Sequence, residues 1–385
     1  MRQRLFTPGP VPVPRDVALA MAATLPHHRT PEFQEIFLRT TELLQQVFRT
    51  ADPVVMLCAS GTGAMEAAVV NLTEPGERVF AVNGGKFGER WCELLRAYGR
   101  DVYELGLSWG EVVTPEQFHD EVQRTGARAA FVTHSETSTG ALCDLQQIAR
   151  VARTLDVLLV VDAITSVGVN RLETQAWGAS CVVGGSQKAF ALPPGLAFLS
   201  LDETARARLD ANPSPRYYFD LRRGLRELAA GRAAWTPAIG LVVGLERACQ
   251  RLLAEGMEAV WLRQGFLAEA VRAGAGACGL QLVAARPSNA VTAVYVPEKV
   301  GADSLRETLR ERYGIRVAAA QGALAGRTIR IGHMGPYDAA DVLQLLAALE
   351  EALREHGQPL QSGAALDAAR PFLAQLGALP VRGAP

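Results

Sequence analysis

The stretch running from Leu158-Leu-Val-Val-Asp162 to Cys181-Val-Val-Gly-Gly-Ser-Gln-Lys188 decides the fold of this chain. Each end of it is a short unbroken apolar run followed by a charged residue, directly in the first case and after a glycine-rich turn in the second. A strand with one wet face alternates polar and apolar residues, whereas an unbroken run reads as a strand covered on both faces. The same pattern recurs upstream in Val54-Val-Met-Leu57, Arg78-Val-Phe-Ala-Val82 and Ala129-Ala-Phe-Val-Thr133. Between the runs lie stretches with helical spacing, such as Leu145-Gln-Gln-Ile-Ala-Arg-Val-Ala-Arg153. Strand and helix in alternation predict an α/β fold with a mostly parallel sheet wrapped by helices. Ligands of such sheets sit at the C-terminal strand ends, so residues just after each run are the candidates for chemistry.

Working outward, the 385 residues are too many for one small domain. Residues 1–14, rich in proline and glycine, read as an arm. Residues 15–250 read as a large domain, with helical periodicity at 15–50 and a helix start at Pro31. Residues 251–356 read as a smaller α+β domain: a long helical stretch over 237–273 leads into it, followed by strands near Asn289 and Thr328 and helices near 303–313 and 338–354. Residues 357–385, rich in alanine, glycine and proline, read as a tail with a short helix at most. A net charge of −1 gives no electrostatic reason to expect nucleic acid or an anionic membrane as partner. Cysteines 58, 92, 143, 181, 249 and 278 have neither CxxC nor zinc spacing, so no metal site is expected and the thiols read as small buried hydrophobes. No apolar run approaches the roughly 20 residues of a membrane span, and the first ten residues lack a signal-peptide core. The expected location is cytoplasmic.

Three motifs stand at strand ends. Ser60-Gly-Thr-Gly-Ala-Met-Glu-Ala follows the Val54 run and enters a helix, which suits a phosphate at the helix's positive end, although a tight turn needing glycine explains the same residues. It has neither GxGxxG spacing nor the P-loop signature. Asp162 reads as a helix N-cap or as a charge partner for a ring nitrogen or a metal. Lys188 has apolar neighbours, unlike a surface lysine, and desolvation would make its amine a better nucleophile. Together the three meet the needs of pyridoxal phosphate: an anion cradle, an acid for the pyridine nitrogen and a lysine for the aldehyde.

With Ser60-Gly-Thr-Gly-Ala-Met-Glu-Ala, His134-Ser-Glu-Thr-Ser-Thr-Gly140, Val161-Asp162, Gly185-Ser-Gln-Lys188 and Ile329-Arg330-Ile-Gly in this order, the chain resembles the class V aminotransferases over roughly residues 5–350. Within that family it resembles the alanine–glyoxylate/serine–pyruvate branch. The resemblance implies the fold type I architecture of pyridoxal-phosphate enzymes, with a seven-stranded type of sheet, and it implies roles. Lys188 would be the Schiff-base lysine and proton shuttle, and Asp162 the partner of the pyridine nitrogen. Ser60, Gly61, Thr62 and Gln187 would hold the phosphate. Thr236 would reach the phosphate of a partner subunit, which implies a homodimer with sites at the interface. Phe87 would stack on the ring where many relatives have tryptophan, and Thr137 would lie near the ring hydroxyl. Arg330 would clamp the substrate α-carboxylate, with backbone contacts from the Thr7-Pro-Gly9-Pro arm.

The expected reaction moves an amino group from alanine or serine to glyoxylate or pyruvate. His28 and Arg29 match a substrate-phosphate pair of phosphoserine aminotransferases, which keeps aspartate and phosphoserine as alternative donors. Class V cysteine desulfurases need a late loop cysteine, and Ala318-Ala-Ala-Gln-Gly-Ala-Leu-Ala-Gly-Arg327 has none. A non-catalytic sensor would be expected to lose Lys188.

Overall fold

The computed structural model describes residues 3–379, so the last six residues of the expected tail lie outside the described residues. The chain begins with β1 (Arg4–Phe6), α1 (Arg15–Met21) and α2 (Pro31–Phe48). Thr30 caps α2 by accepting from the Phe33 amide, and Pro31 takes the first turn, where its missing N–H costs nothing. The alternating region follows as β2 (Val54–Leu57), α3 (Gly61–Leu72), β3 (Arg78–Asn83), α4 (Lys86–Ala97), β4 (Asp101–Gly106), α5 (Pro115–Thr125) and β5 (Ala129–Thr133). A small hairpin, β6 (Ser135–Glu136) and β7 (Ala141–Leu142), leads to α6 (Leu145–Thr154), β8 (Leu158–Asp162), α7 (Thr174–Trp177), β9 (Cys181–Gly185) and β10 (Ala197–Leu201).

Seven of these strands form one sheet in the order β2-β10-β9-β8-β5-β3-β4. β10 runs antiparallel to both neighbours and every other adjacent pair is parallel, so the expected mostly parallel seven-stranded sheet is present. β8, β9 and β10 are buried along their whole length, which is why they spell unbroken apolar runs. β4 is the exception: as an edge strand it mixes exposed and half-buried residues, with none fully buried, and a search for apolar runs passes over it. The order places the C-terminal ends of β5, β8 and β9 side by side.

The rest of the chain forms α8 (Glu203–Ala211), α9 (Leu221–Ala229), α10 (Ile239–Glu255), α11 (Met257–Ala277), β11 (Gln281–Leu282), β12 (Val291–Tyr295), α12 (Ala302–Tyr313), β13 (Ile315–Ala319), β14 (Thr328–Gly332), α13 (Ala339–Glu355) and α14 (Ala364–Leu376). The single helical stretch expected over 237–273 is two helices, broken at Gly256, whose φ of 88° only glycine adopts freely. A second sheet has the order β1-β13-β14-β12-β11 and its own core around Leu305, Ile329 and Leu345. The tail carries more structure than expected. α14 has 13 residues, buries Ala365, Ala369 and Leu373, and is capped from outside by the buried Glu350 carboxylate, which accepts from the Gly363 and Ala365 amides at 2.6 and 2.8 Å. Among the described residues no helix is long and apolar enough to cross a membrane.

The N-terminal arm lies against the second sheet. β1 pairs in parallel with β13, Arg4 opposite Ile315, and the arm then passes over β14 at Gly332. A Cβ at Gly332 would lie 2.3 Å from the Thr7 carbonyl oxygen, inside backbone that cannot move aside. Gly332→Ala is therefore expected to lift the arm and cost about 1–3 kcal/mol, measured as a lower urea midpoint at unchanged slope in the cofactor-free protein.

Candidate active site

Asp162 is the last residue of β8 and only 4% exposed. Its Oδ1 accepts from the Ile164 amide at 2.9 Å, and its carbonyl accepts from the His134 amide at 2.9 Å. Burial pushes its carboxyl up to about 6, against the opposing pull of the Ile164 amide. Lys188 stands on the loop joining β9 to β10 and is 8% exposed. Ser186 closes that loop at its neck: its amide donates to Leu196, and its hydroxyl donates to the Pro193 carbonyl and accepts from the Leu196 amide. The lysine is thus presented by a tied loop. Burial lowers its amine to about 8, with Asp162 pulling the other way. The Nζ donates to the Pro8 carbonyl of the arm. A Cβ at Gly9 would come within 2.8 Å of Lys188 Cδ, so glycine there lets the arm close over the lysine.

The N-terminus of α3 faces the same edge. Ser60 is its N-cap by position but makes no capping hydrogen bond. The Gly61 and Thr62 amides have no acceptor earlier in the helix, which leaves orphan donors at the positive helix end. A Cβ at Gly61 would lie 2.4 Å from Ile164 Cδ1, so this turn packs directly on the residue that binds Asp162. Gln187 has a buried Oε1 without a partner.

Phe87 is in the first turn of α4, with the Arg90 guanidinium carbon 4.8 Å from its ring centroid. Arg90 also donates to Thr62 Oγ1 at 3.1 Å. Thr137 shares a 2.7 Å hydrogen bond with Thr165. Arg330, on β14, is buried; its Nε donates to the Ala319 carbonyl at 2.9 Å and one terminal nitrogen to the Thr137 carbonyl at 3.2 Å. It forms no ion pair among the described residues, so its remaining N–H groups are free for an anion.

Thr236, His28 and Arg29 stand apart from this group. The Thr236 carbonyl lies 3.9 Å from Cys58 Sγ, two residues before Ser60, and its side chain is exposed. His28 and Arg29 occupy the turn before α2, with the His28 ring against His27, and no hydrogen bond or ion pair joins them to Lys188, Asp162 or Arg330 among the described residues. Sequence reasoning missed Ser186 and Glu136. Both lie inside motifs it had quoted, but Glu136 acts on amides nearly 50 residues earlier and Ser186 on the far end of its own loop, pairings that no local pattern marks. A separate cavity of about 1070 Å³, lined by Leu43, Phe190, Leu252 and Tyr337 among others, contains none of the expected site residues.

The residues present fit pyridoxal phosphate. An uncapped helix N-terminus suits the phosphate, and near it stand a buried acid with one oxygen that takes no donor, and a buried amine held by a single carbonyl, among the described residues.

The family described as "Aminotransferase class-V" matches residues 18–344. The soluble hydrogenase small subunit of Synechococcus sp. is 38% identical, covering 92% of this chain and 93% of its own. The L-aspartate–glyoxylate aminotransferase of Paracoccus denitrificans is 35% identical, with 95% of each chain covered. The serine–glyoxylate aminotransferase of Hyphomicrobium methylovorum is 34% identical, with 96% and 94% covered. Among solved structures, the ureidoglycine–glyoxylate aminotransferase of Bacillus subtilis superposes with a TM-score of 0.92 at 30% identity, with 97% and 98% covered.

The buried amine makes stability depend on pH. An unfolded lysine holds its proton to about 10.5 and Lys188 releases it near 8, so across that window the unfolded chain carries more protons and the folded protein gains stability as pH rises. Asp162, near 6, stays ionised throughout. In the cofactor-free protein, the stability of wild type relative to Lys188→Met is expected to rise by up to about 3 kcal/mol between pH 8 and 10.5, read from urea unfolding at a series of pH values. A flat difference would contradict the buried amine.

Proposed function

Because the chain belongs to the class V aminotransferase family, we propose that it transfers the amino group of a small L-amino acid, alanine or serine, to glyoxylate or pyruvate. It is a pyridoxal-phosphate-dependent enzyme. The observation that carries the assignment of residues is the meeting of a buried amine, a buried acid and an uncapped helix N-terminus on one sheet edge.

Bound pyridoxal phosphate supplies an electron-withdrawing ring that takes up the electron pair released at the substrate α-carbon. Lys188 holds the cofactor's aldehyde carbon at rest. Displaced from that carbon by the substrate's amino group, its amine, about half of it neutral at pH 8, would take the proton from the substrate α-carbon. Asp162 would accept a hydrogen bond from the ring N–H, and such a positive partner would draw its carboxyl down from its raised value. The Gly61 and Thr62 amides, the Ser60 and Thr62 hydroxyls and Gln187 bind the phosphate. Phe87 would stack on the ring and Thr137 would stand near its hydroxyl. Arg330, with two of its donors already fixed on carbonyls, binds the α-carboxylate with the others. Gly9 and its neighbours in the arm keep water from that end of the site. Thr236 serves the phosphate of a second copy in a homodimer; its exposed side chain and the exposed Tyr217 nearby suit such a contact.

The donor follows from charge. Arg330 is the buried arginine without an acidic partner beside Thr137, while His28 and Arg29 lie elsewhere in the chain, which favours a donor with one carboxylate. The Hyphomicrobium relative's name agrees, and glyoxylate as acceptor recurs in the names of the relatives. A second reading, aspartate as donor, is favoured by the name of the Paracoccus relative. It requires a second cation, which His28 and Arg29 of another copy would supply. Phosphoserine would need the same cation. The loop after Ala319 has no cysteine for a desulfurase.

The test is to mix the cofactor-loaded protein with L-alanine, L-serine, L-aspartate or L-phosphoserine and follow the loss of the long-wavelength cofactor band. Alanine or serine is expected to react at least about tenfold faster than aspartate, a difference of about 1.4 kcal/mol in barrier; turnover by aspartate alone would reverse the choice of donor. Lys188→Ala is expected to leave no borohydride-fixable cofactor and no turnover. Arg330→Ala is expected to lower kcat/KM by about 100-fold, mostly through KM.

A further inference from the structure

Glu136 belongs to none of the groups assigned above. It is 5% exposed, yet its carboxylate is fully engaged. Oε1 accepts from the Ser138 amide at 3.0 Å and from its hydroxyl at 2.5 Å. Oε2 accepts from the Phe87 and Gly88 amides at 3.0 and 3.1 Å. Ser138 Oγ in turn accepts from the Lys86 amide at 3.0 Å. The first three amides of α4 are thus satisfied from a turn about 50 residues further along the chain, because the helix's own N-cap, Gly85, brings no side chain. Gly85 is also what admits the pair: a Cβ there would lie 2.5 Å from Ser138 Oγ and 2.7 Å from Glu136 Cδ. A buried carboxylate at the positive end of a helix is stabilised by that helix, and in return it fixes where the first turn stands. Two groups ride on that turn. Phe87 is one of them; Arg90 is the other, lying over Phe87 and donating to Thr62 Oγ1.

We propose that Glu136 is the positioning residue of the cofactor site: through the first turn of α4 it sets the Phe87 face and the Arg90–Thr62 link in register with the ring and its phosphate. This rests on the pyridoxal-phosphate reading above and adds to it a residue that touches neither cofactor nor substrate. Glutamine at position 136 keeps one acceptor oxygen and turns an NH2 group toward two donors, so only half of the arrangement survives.

The experiment uses wild type, Glu136→Gln, Phe87→Ala and the double variant. Hydrogen exchange of the cofactor-free proteins, read on the peptide spanning 84–90, is expected to quicken about tenfold in Glu136→Gln. The dissociation constant for pyridoxal phosphate is expected to rise about tenfold and the visible circular-dichroism band of the bound cofactor to weaken, while borohydride still fixes one cofactor on Lys188. On the Phe87→Ala background, Glu136→Gln is expected to raise the dissociation constant by clearly less than in wild type, about threefold, because only the Arg90–Thr62 link then remains for the turn to act through. Unchanged exchange, or a full tenfold effect of Glu136→Gln without Phe87, overturns the proposal. Should Glu136→Gln not fold, Ser138→Ala removes the Lys86 acceptor and one of the two donors to Glu136 Oε1 while leaving the carboxylate on the Phe87 and Gly88 amides, and is expected to shift exchange and affinity in the same direction by a smaller factor; no shift there overturns the proposal as well. Neither readout needs turnover, so a wild type that binds the cofactor but transaminates none of the amino acids refutes the proposed reaction and leaves the Glu136 result standing on its own.

Discussion

An amine and a carboxylate, both shut away from water at the ends of neighbouring strands, set the terms for everything around them. Lys188 and Asp162 are pushed toward their uncharged forms from opposite sides, the amine to about 8 and the acid to about 6. Groups in that condition stay in place only if every other polar contact near them is already made. Hence the loop of Lys188 is tied shut by Ser186, its Nζ is held by a carbonyl from a distant arm, and both the carboxyl and the carbonyl of Asp162 take backbone amides. The sheet supplies the burial and the loops supply the partners.

The turn from His134 to Gly140 is where these demands are reconciled. Its residues reach Asp162 through the His134 amide, Thr165 through Thr137, and α4 through Glu136 and Ser138. They also reach the second sheet. Ser135 bonds the Ser288 hydroxyl at 2.7 Å, Gly140 accepts from the Ser288 amide at 2.7 Å, and the Thr137 carbonyl seats Arg330. Gly140 has a φ of 77°, and a Cβ there would stand 2.9 Å from the Val291 carbonyl, so the approach of the two sheets at this point depends on a residue without a side chain. One short turn therefore fixes the distance between the groups proposed for the ring and the group proposed for the carboxylate.

Much of this was legible in the sequence for a simple reason. Lys188, Asp162 and the Ser60 turn follow strands buried on both faces, and such strands announce themselves as apolar runs. The edge strand β4 does not, because one of its faces is wet. The break at Gly256 is marked by the glycine itself, but helical spacing continues on both sides and hides it. Glu136, Ser186 and Glu350 were illegible for a different reason. Each is a polar residue whose meaning is the identity of distant or loop-closing partners, and α14 is longer than expected because its cap comes from α13. Arg330 shows the limit of the strand grammar. Its assignment came from resemblance, and its burial and paired carbonyls are visible only once two sheets are set side by side.

The arm over Lys188 ties the site to the order in which the chain is made. The surfaces that residues 4–9 lie on, β13 and Gly332, are made more than 300 residues after them. At ordinary rates of synthesis that interval is on the order of tens of seconds. Through all of it the great sheet can assemble while Lys188 lacks the carbonyl that holds its amine. Strands translated more than 300 residues after the arm thus determine when the arm can settle over Lys188.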